Sequence, residues 1–441
     1  MRKNILIISY YFAPNNNIGS IRPTKIAKYL VGCGFNVTVI CRGFSNHDSL
    51  DIPNGVKLFM KNKKPILKKD NIQSKKKRNV FLTSLVPEAL KINYREKNVQ
   101  NEYKDFAEYA FNVFNSESLK GNYFDAVLTS YGPICNLVVG LKIKKAANIY
   151  WISDYRDPVI TRLTPSFYRK KYFQIQEESI RLADAITTVS DGVKKKLGSK
   201  NGKYEKMHVV YNGYDCDDLK ITPKPLTDNK LHFLYAGSLY NGKRKVSCFF
   251  KAISNLAENK RINLDDIVID YAGSEFGVFY SQAKKHNVHS IVVNHGFLDR
   301  EECLELELNS DFLIVSTWNY SNEEGVIPGK LFECILAGKP IVAIVDGNRK
   351  NSEIKMIINN GSLGCVYESA NNKEDFKNLC EYIYSSYSKW KNNEVFYSPN
   401  ADYLKRFNYT NIIKEFISLI SWKGFLFPSL FIKHLLSVLF E

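Results

Sequence analysis

GVIPGKLFECILAGKPI, residues 325–341, is a Gly/Pro-rich loop feeding a short helix that stops at Gly338 before a further apolar run opening at Ile341. Loop, helix and strand in that order are one step of an α/β chain. Pro328 suits a first helical turn, Gly329 lets a ligand approach the backbone, and Lys330 adds positive charge where unpaired amides and the helix dipole attract anions. Glu333 lies three residues on, one turn deeper on the same face as Lys330, where a carboxylate accepts bonds from two neighbouring hydroxyls. Diphosphate followed by a diol describes a nucleotide sugar. The same residues also read as a plain helix start with a solvated Lys–Glu pair, and taken alone they leave both readings standing.

Outward from this segment, short apolar runs alternate with helix-period segments, the pattern of parallel sheets covered by helices on both faces. The first half predicts strands over 5–9, 36–41, 126–129, 149–153, 185–189 and 208–211, with helices including 20–31 and 166–182. Residues 213–229 lack periodicity and hold two prolines, reading as an inter-domain linker. A second series follows, with strands over 231–236, 267–272, 291–293, 312–315 and 341–345. The expected fold class is α/β, two Rossmann-like doubly wound domains facing across a cleft. The expected division is 1–213 as an acceptor-side domain, 214–229 as linker and 230–400 as the nucleotide-sugar domain. Residues 401–420 form a helix able to return to the first domain, and 421–441 an apolar amphipathic tail.

Composition narrows the setting. The start, MRKNILIISYYFAP, is too short in apolar residues for a signal-peptide core or a membrane span, and reads as a buried first strand. Nine cysteines are odd in number and scattered, so neither a disulfide frame nor a metal site is expected. The expectation is a cytoplasmic protein. Charge is lopsided: residues 1–225 hold 38 Lys and Arg against 20 Asp and Glu, the remainder 24 against 25. Within the first half, residues 57–78 carry ten basic side chains and one acid, Asp70. That block favours an anionic membrane or lipid phosphate over a solvated loop, and over nucleic acid, since aromatic interleaving and a groove-reading motif are missing. After Pro428, Ser429, Lys433, Ser437 and Glu441 recur every four residues, so the tail either lies in a membrane interface or packs back on the protein.

Four further segments fall where strands should end in loops. In 14–30, Gly19 opens a helix with Arg22 in its first turn, able to present amides to an anion, or forms an ordinary loop capped by Ser20. In 150–160 a buried strand ends in Asp154, Arg156 and Asp157, either a structural ion pair or a catalytic group. In 231–246 a strand leads into Gly237 and Ser238, then Lys243 and Arg244 at the next helix start, where cations oppose the dipole unless an anion is present. In 293–306, His295, Gly296 and Phe297 follow a strand and can hold a flat base through backbone contacts, or make a plain strand–turn–helix.

Taken in order, YYFAPNNNIGSIRP, TSYGP, SDYRDP, TTVSDGVKKKL, VVYNGYD, AGSLYNGKRK, HGFLDREE and GVIPGKLFECILAGKP resemble the retaining glycosyltransferases of family 4, with the GT-B fold, and more closely the bacterial members that build capsule or other surface polysaccharides. The resemblance runs over roughly residues 4–420. It implies a hexosyltransferase-like, metal-independent enzyme that uses a UDP- or GDP-type nucleotide sugar as cosubstrate and needs no further cofactor. By the resemblance Glu333 binds the donor ribose, Lys243, Arg244 and Lys330 the diphosphate, Gly19 sits over the donor phosphates, and the turn around Gly296 takes the nucleobase.

Two departures stand out. Many relatives carry a Glu eight residues before the one matching Glu333; here that position is Gly325, with Glu324 one residue out of register, so the donor sugar meets either Glu324 or the backbone of Gly325, Val326 and Ile327. Asp154 stands where several relatives have His; it assists the reaction, with Arg156 and Lys330 as the other candidate catalytic residues, or merely orients Arg156. The implied acceptor is a saccharide on a polyprenyl diphosphate, with peripheral contact at the inner face of the cell membrane and no nucleic-acid partner. A sugar-nucleotide 2-epimerase and a non-catalytic GT-B binding subunit are the rival readings.

Overall fold

The computed structural model describes residues 2–43, 50–62, 88–161, 164–198, 202, 204–220, 227–395 and 397–421. Most of the basic block and the whole tail beyond Ser421 lie outside the described residues. The chain divides into two compact units. One comprises the described residues of Met1–Thr188, Lys203–His208 and Phe416–Glu441, the other those of Val189–Gly202 and Val209–Glu415.

The first unit is built on β1 (Asn4–Ile8), β2 (Asn36–Arg42), β3 (Val56–Lys61), β4 (Ala126–Tyr131), β5 (Tyr150–Tyr155), β6 (Ala185–Thr188) and β7 (Met207–Val209), in the order β3-β2-β1-β4-β5-β6-β7. The paired strands run parallel, with Ile5 opposite Val37 on one side and Ala126 on the other. Strands covered on both faces are buried at nearly every position, so NILII and AVLTSY are mostly apolar and their buried hydroxyls, Thr129 and Ser130, are hydrogen-bonded inside. The strand order reverses between β1 and β4, the switch point where ligands of such sheets bind beyond the carboxyl ends. Helix α1 (Ile18–Gly32) starts there, capped by Asn17, whose side chain accepts the Gly19 amide, rather than by Ser20 as expected. Two elements escape the sequence pattern: β3, whose VKLFMK opens the basic block, and the long helix α2 (Glu88–Leu119).

The second unit repeats the plan with β8 (Leu231–Ala236), β9 (Ile267–Ala272), β10 (Val292–Gly296), β11 (Phe312–Asn319), β12 (Ile341–Gly347) and β13 (Gly364–Glu368), in the order β10-β9-β8-β11-β12-β13. Alternation sorts its side chains into two cores. Phe233, Tyr235, Ile269 and Tyr271 face one layer with Phe249, Phe250 and Phe279, while Leu234, Ala236 and Leu313 face the other with Leu331, Phe332 and Ile335. The switch point lies between β8 and β11. The short helix α3 (Lys330–Ala337) follows β11 and ends on Gly338 at φ +66°, the left-handed stop its sequence predicts.

Candidate functional site

The carboxyl ends of β8 and β11 bring two loops of the second unit together. Side chains near the end of β11 touch both: Ser316 donates to the Lys245 carbonyl (3.1 Å) and Trp318 meets Tyr240 edge-on, while Thr317 donates to the Val326 carbonyl (3.0 Å). The expected donor segments 237–246 and 324–333 are therefore flanks of one strand end.

On the α3 side, Lys330 and Glu333 share a face as their spacing predicts, with Nζ to Oε2 at 2.9 Å. Lys330 is not the mobile charge expected at a phosphate. Its ammonium also meets Glu307, a residue 1% exposed, and the Cys303 sulfur at 3.5 Å. Burial disfavours its charge, yet the two carboxylates outweigh that and hold the ammonium well above its ordinary range. The other oxygen of Glu333 faces Arg300 at 3.5 Å, and Arg300 in turn reaches Asp218 at 3.1 Å. Burial pushes the Glu333 carboxyl up, but Lys330 and Arg300 bring it below the usual carboxylate range. An ionised carboxylate has about four lone-pair positions, so one bond at each oxygen leaves capacity for a diol. The helix start itself is less open than its sequence suggests: the amides of Leu331 and Phe332 already donate to the carbonyls of Pro328 and Gly329, both at 3.0 Å.

Backbone crowding explains the departure at residue 325. Gly325 is at φ +72°, and a Cβ there would meet the Cα of Gly192 at 2.6 Å. Gly192 sits at the start of helix α4 (Asp191–Gly198), whose first amides donate to the carboxylate of Glu353. No side chain fits at 325. Glu324 points to Arg349 (3.1 Å), the carbonyl of Val326 is taken by Thr317, and Ile327 packs in the core.

On the β8 side, the loop Gly237–Arg244 curls into an anion nest. Tyr240 and Asn241 adopt left-handed backbone, φ +52° and +53°, and the amides of Leu239, Tyr240 and Asn241 point at one carboxylate, that of Glu275, at 2.7, 3.1 and 2.6 Å. Ser238 Oγ donates to the same group at 2.5 Å, and Gly237 supplies φ +142°. Lys243 is exposed, and the Arg244 guanidinium lies 4.6 Å over the Tyr240 ring. Both cations precede the next helix, which begins at Ser247, instead of opening it as expected.

The turn after β10 is pinned from behind. His295 Nε2 lies 2.6 Å from Asp270, whose second oxygen is 2.7 Å from His232, and the Gly296 carbonyl accepts from the Gly273 amide at 2.7 Å. Phe297 beyond it is 78% exposed, a flat face open to solvent.

In the first unit the expected residues are used internally. Asp154 has no exposed surface and accepts from Arg22 through two nitrogens (3.0 and 2.8 Å), from Ser130 (3.2 Å) and from Thr187 (2.7 Å). Burial raises its carboxyl, but Arg22 outweighs that and leaves it below the usual range. Its partner is thus Arg22, not Arg156. Arg156 donates instead to the carbonyls of Gly19 (2.7 Å), Tyr131 (2.9 Å) and Gly132 (2.8 Å), tying the start of α1 to the end of β4.

Glu307, Arg300, Glu275 and Asp218 were not singled out in the sequence. Arg300 sits within HGFLDREE beside Asp299 and Glu302, which form a capping box at the helix start, and nothing in the local spacing points from its guanidinium to Glu333 or Asp218. Among the described residues, no group of His, Cys, Asp and Glu is arranged to hold a metal ion, and no helix is long and apolar enough to cross a membrane.

Two doubly wound parallel units of this strand order define the GT-B fold. No family model matches the chain, and no curated protein sequence does. Among solved structures, Anabaena HepE in complex with UDP is similar over 95% of this chain and 99% of its own, with TM-score 0.61 and 14% identity. The lipopolysaccharide outer core galactosyltransferase WaaB is similar over 96% and 100%, with TM-score 0.55 and 16% identity. A Listeria monocytogenes structure assigned as a UDP-N-acetylglucosamine 2-epimerase is similar over 95% and 96%, with TM-score 0.51 and 12% identity. At such identities the likeness establishes the fold.

Proposed function

We propose that this protein is a glycosyltransferase that moves a sugar from a UDP- or GDP-type nucleotide sugar to a lipid-linked saccharide acceptor, with retention of anomeric configuration, in the making of a surface polysaccharide. The observation that carries the reading is Glu333: a carboxylate at a helix start beside the switch point, kept ionised and aimed by Lys330 and Arg300, in a fold that HepE shares in complex with UDP. In this reading Glu333 accepts the ribose hydroxyls, the turn His295–Phe297 takes the base, and the loop Gly237–Arg244 takes the diphosphate.

Breaking the bond from sugar to diphosphate places extra negative charge on the leaving group. Lys243, Arg244 and the loop amides stabilise it there, so the proposal assigns that charge to side chains and amides and not to a divalent cation. Retention follows when the acceptor attacks from the face the diphosphate leaves, which itself takes the acceptor proton. Asp154 and Arg156 are assigned as positioning residues, since one is sealed from solvent and the other spends its guanidinium on three carbonyls. Membrane contact at the cytoplasmic face rests on the basic block and the apolar tail, and WaaB, which acts on lipopolysaccharide core, supports a lipid-linked acceptor.

The test is a thermal-shift panel of UDP, GDP, ADP and their sugars. A ligand at ~100 times its dissociation constant stabilises by ~2.7 kcal/mol, and one nucleotide should do so while Glu333→Ala loses most of that gain. No shift with any nucleotide ends the proposal. The Listeria likeness keeps a 2-epimerase as the second reading. Incubation with the recognised sugar nucleotide alone separates the two, because only an epimerase converts it without an acceptor.

A further inference from the structure

The nest at the end of β8 is already filled. Four donors, the Ser238 hydroxyl and the amides of Leu239, Tyr240 and Asn241, converge on the single carboxylate of Glu275, which arrives from the loop after β9. The loop is solvent-facing at Gly237, Ser238, Tyr240, Asn241 and Lys243, so a carboxylate held in it forgoes hydration for these bonds. Its own helix, Phe276–Lys284, has Glu275 at its N-cap without any side-chain capping bond, so the carboxylate does not serve that helix end. Two strained left-handed residues, Tyr240 and Asn241, are kept in place, and Arg244 is stacked on Tyr240 with its Nε buried and unbonded. Geometry of this kind, successive amides with two cations at the rim, suits a phosphate group as well as a carboxylate.

We infer that Glu275 is an internal stand-in for a phosphate of the donor: it occupies the nest of Ser238–Asn241 in the unliganded protein and must swing out when a diphosphate enters. This rests on the proposed function for the identity of the diphosphate, and the residue acts as a competitor that lowers affinity and guards the loop shape between turnovers. The ligand chemistry is a pyrophosphate oxyanion cluster. Nucleoside and sugar bind elsewhere and are not needed for the competition.

Glu275→Gln keeps the size of the side chain and removes its charge. Isothermal titration of inorganic pyrophosphate into wild type and variant, beside a parallel titration with UDP and GDP, is the experiment. The variant should bind pyrophosphate about tenfold tighter, the scale set by releasing charge-assisted bonds that the ligand then makes. Equal or weaker binding overturns the inference, because a group that only braces the loop gives weakening when lost; so does pyrophosphate binding to neither protein. Glu275→Ala, with its fold checked by circular dichroism, must move in the same direction. Should wild type bind neither UDP nor GDP while Glu275→Gln still gains pyrophosphate affinity, the inference stands and the donor assignment falls.

Discussion

The two sheets turn at the same topological point and treat charge there in opposite ways. In the first unit Asp154, Arg22 and Arg156 are consumed by each other and by carbonyls, and Asp154 is sealed at 0% exposure. In the second unit the charges are layered: Glu307 is buried, Lys330 and Glu333 are partly covered, Lys243 is at the surface, and the nest is met by an acid from another loop. One plan therefore yields a rigid joint in one place and a graded, solvent-reaching site in the other. Polar residues beyond a strand end signal a ligand when they keep bonding capacity, or when the group that uses it is one a ligand can displace at the surface.

Breaking the joint should have the largest effect. Asp154→Ala deletes the buried carboxylate that accepts from Arg22 through two nitrogens, and should cost about 3–5 kcal/mol in chemical denaturation. Replacing both partners with leucine should recover much of that loss. If Asp154→Ala unfolds like wild type, the two switch points do not differ as described.

Lys330→Met attacks the layered side. It strands Glu307, whose carboxyl is already pushed up by burial, and should cost about 2–3 kcal/mol near neutral pH. A carboxyl raised in the folded state takes a proton more readily there than in the unfolded chain, so the deficit should shrink as pH falls and grow as pH rises through the folded value. Asp154→Ala should keep its full deficit down to the ordinary aspartate range and lose it only below, because the wild-type carboxyl is held down in the fold and protonates only in stronger acid. Equal pH dependence in both variants would remove the contrast.

The smallest effect concerns His232. Burial lowers its pKa, but Asp270 and Asp228 outweigh that and raise it above the ordinary histidine value. A raised folded value means that its contribution is complete below the unfolded pKa and disappears as pH rises through the folded one. Asp228 is 44% exposed, so Asp228→Asn should remove only about 0.5 kcal/mol, and should flatten the decline of stability across that window. A decline as steep as in wild type would show that the Asp270 contact alone sets the titration.

Much of this architecture is readable without coordinates. Fully buried parallel strands leave short, mostly apolar runs, interrupted in β8 and β9 only by His232 and Asp270, so both strands are legible to the residue, and Pro328, Gly329 and Gly338 bound α3 because their backbone preferences admit little else. The strand Val56–Lys61 is hidden because two of its six side chains, Lys57 and Lys61, belong to the run of basic residues that starts there, and local charge masks the strand pattern. Pairings are the weaker part. Asp154 looks like the partner of Arg156 two residues away, yet its mate is Arg22, 132 residues distant. Likewise nothing near Ser238 announces Glu275, since loops meet at a sheet end by topology and not by spacing.

The contact between Gly192 and Gly325 constrains how this chain can change. Two glycines on separate segments press backbone against backbone, so neither position tolerates a larger residue alone, and a variant at one must wait for a compensating retreat of the other. An acidic side chain at 325 is thus shut out unless two positions change together. A library that varies this loop is better spent on position 324, leaving both glycines untouched.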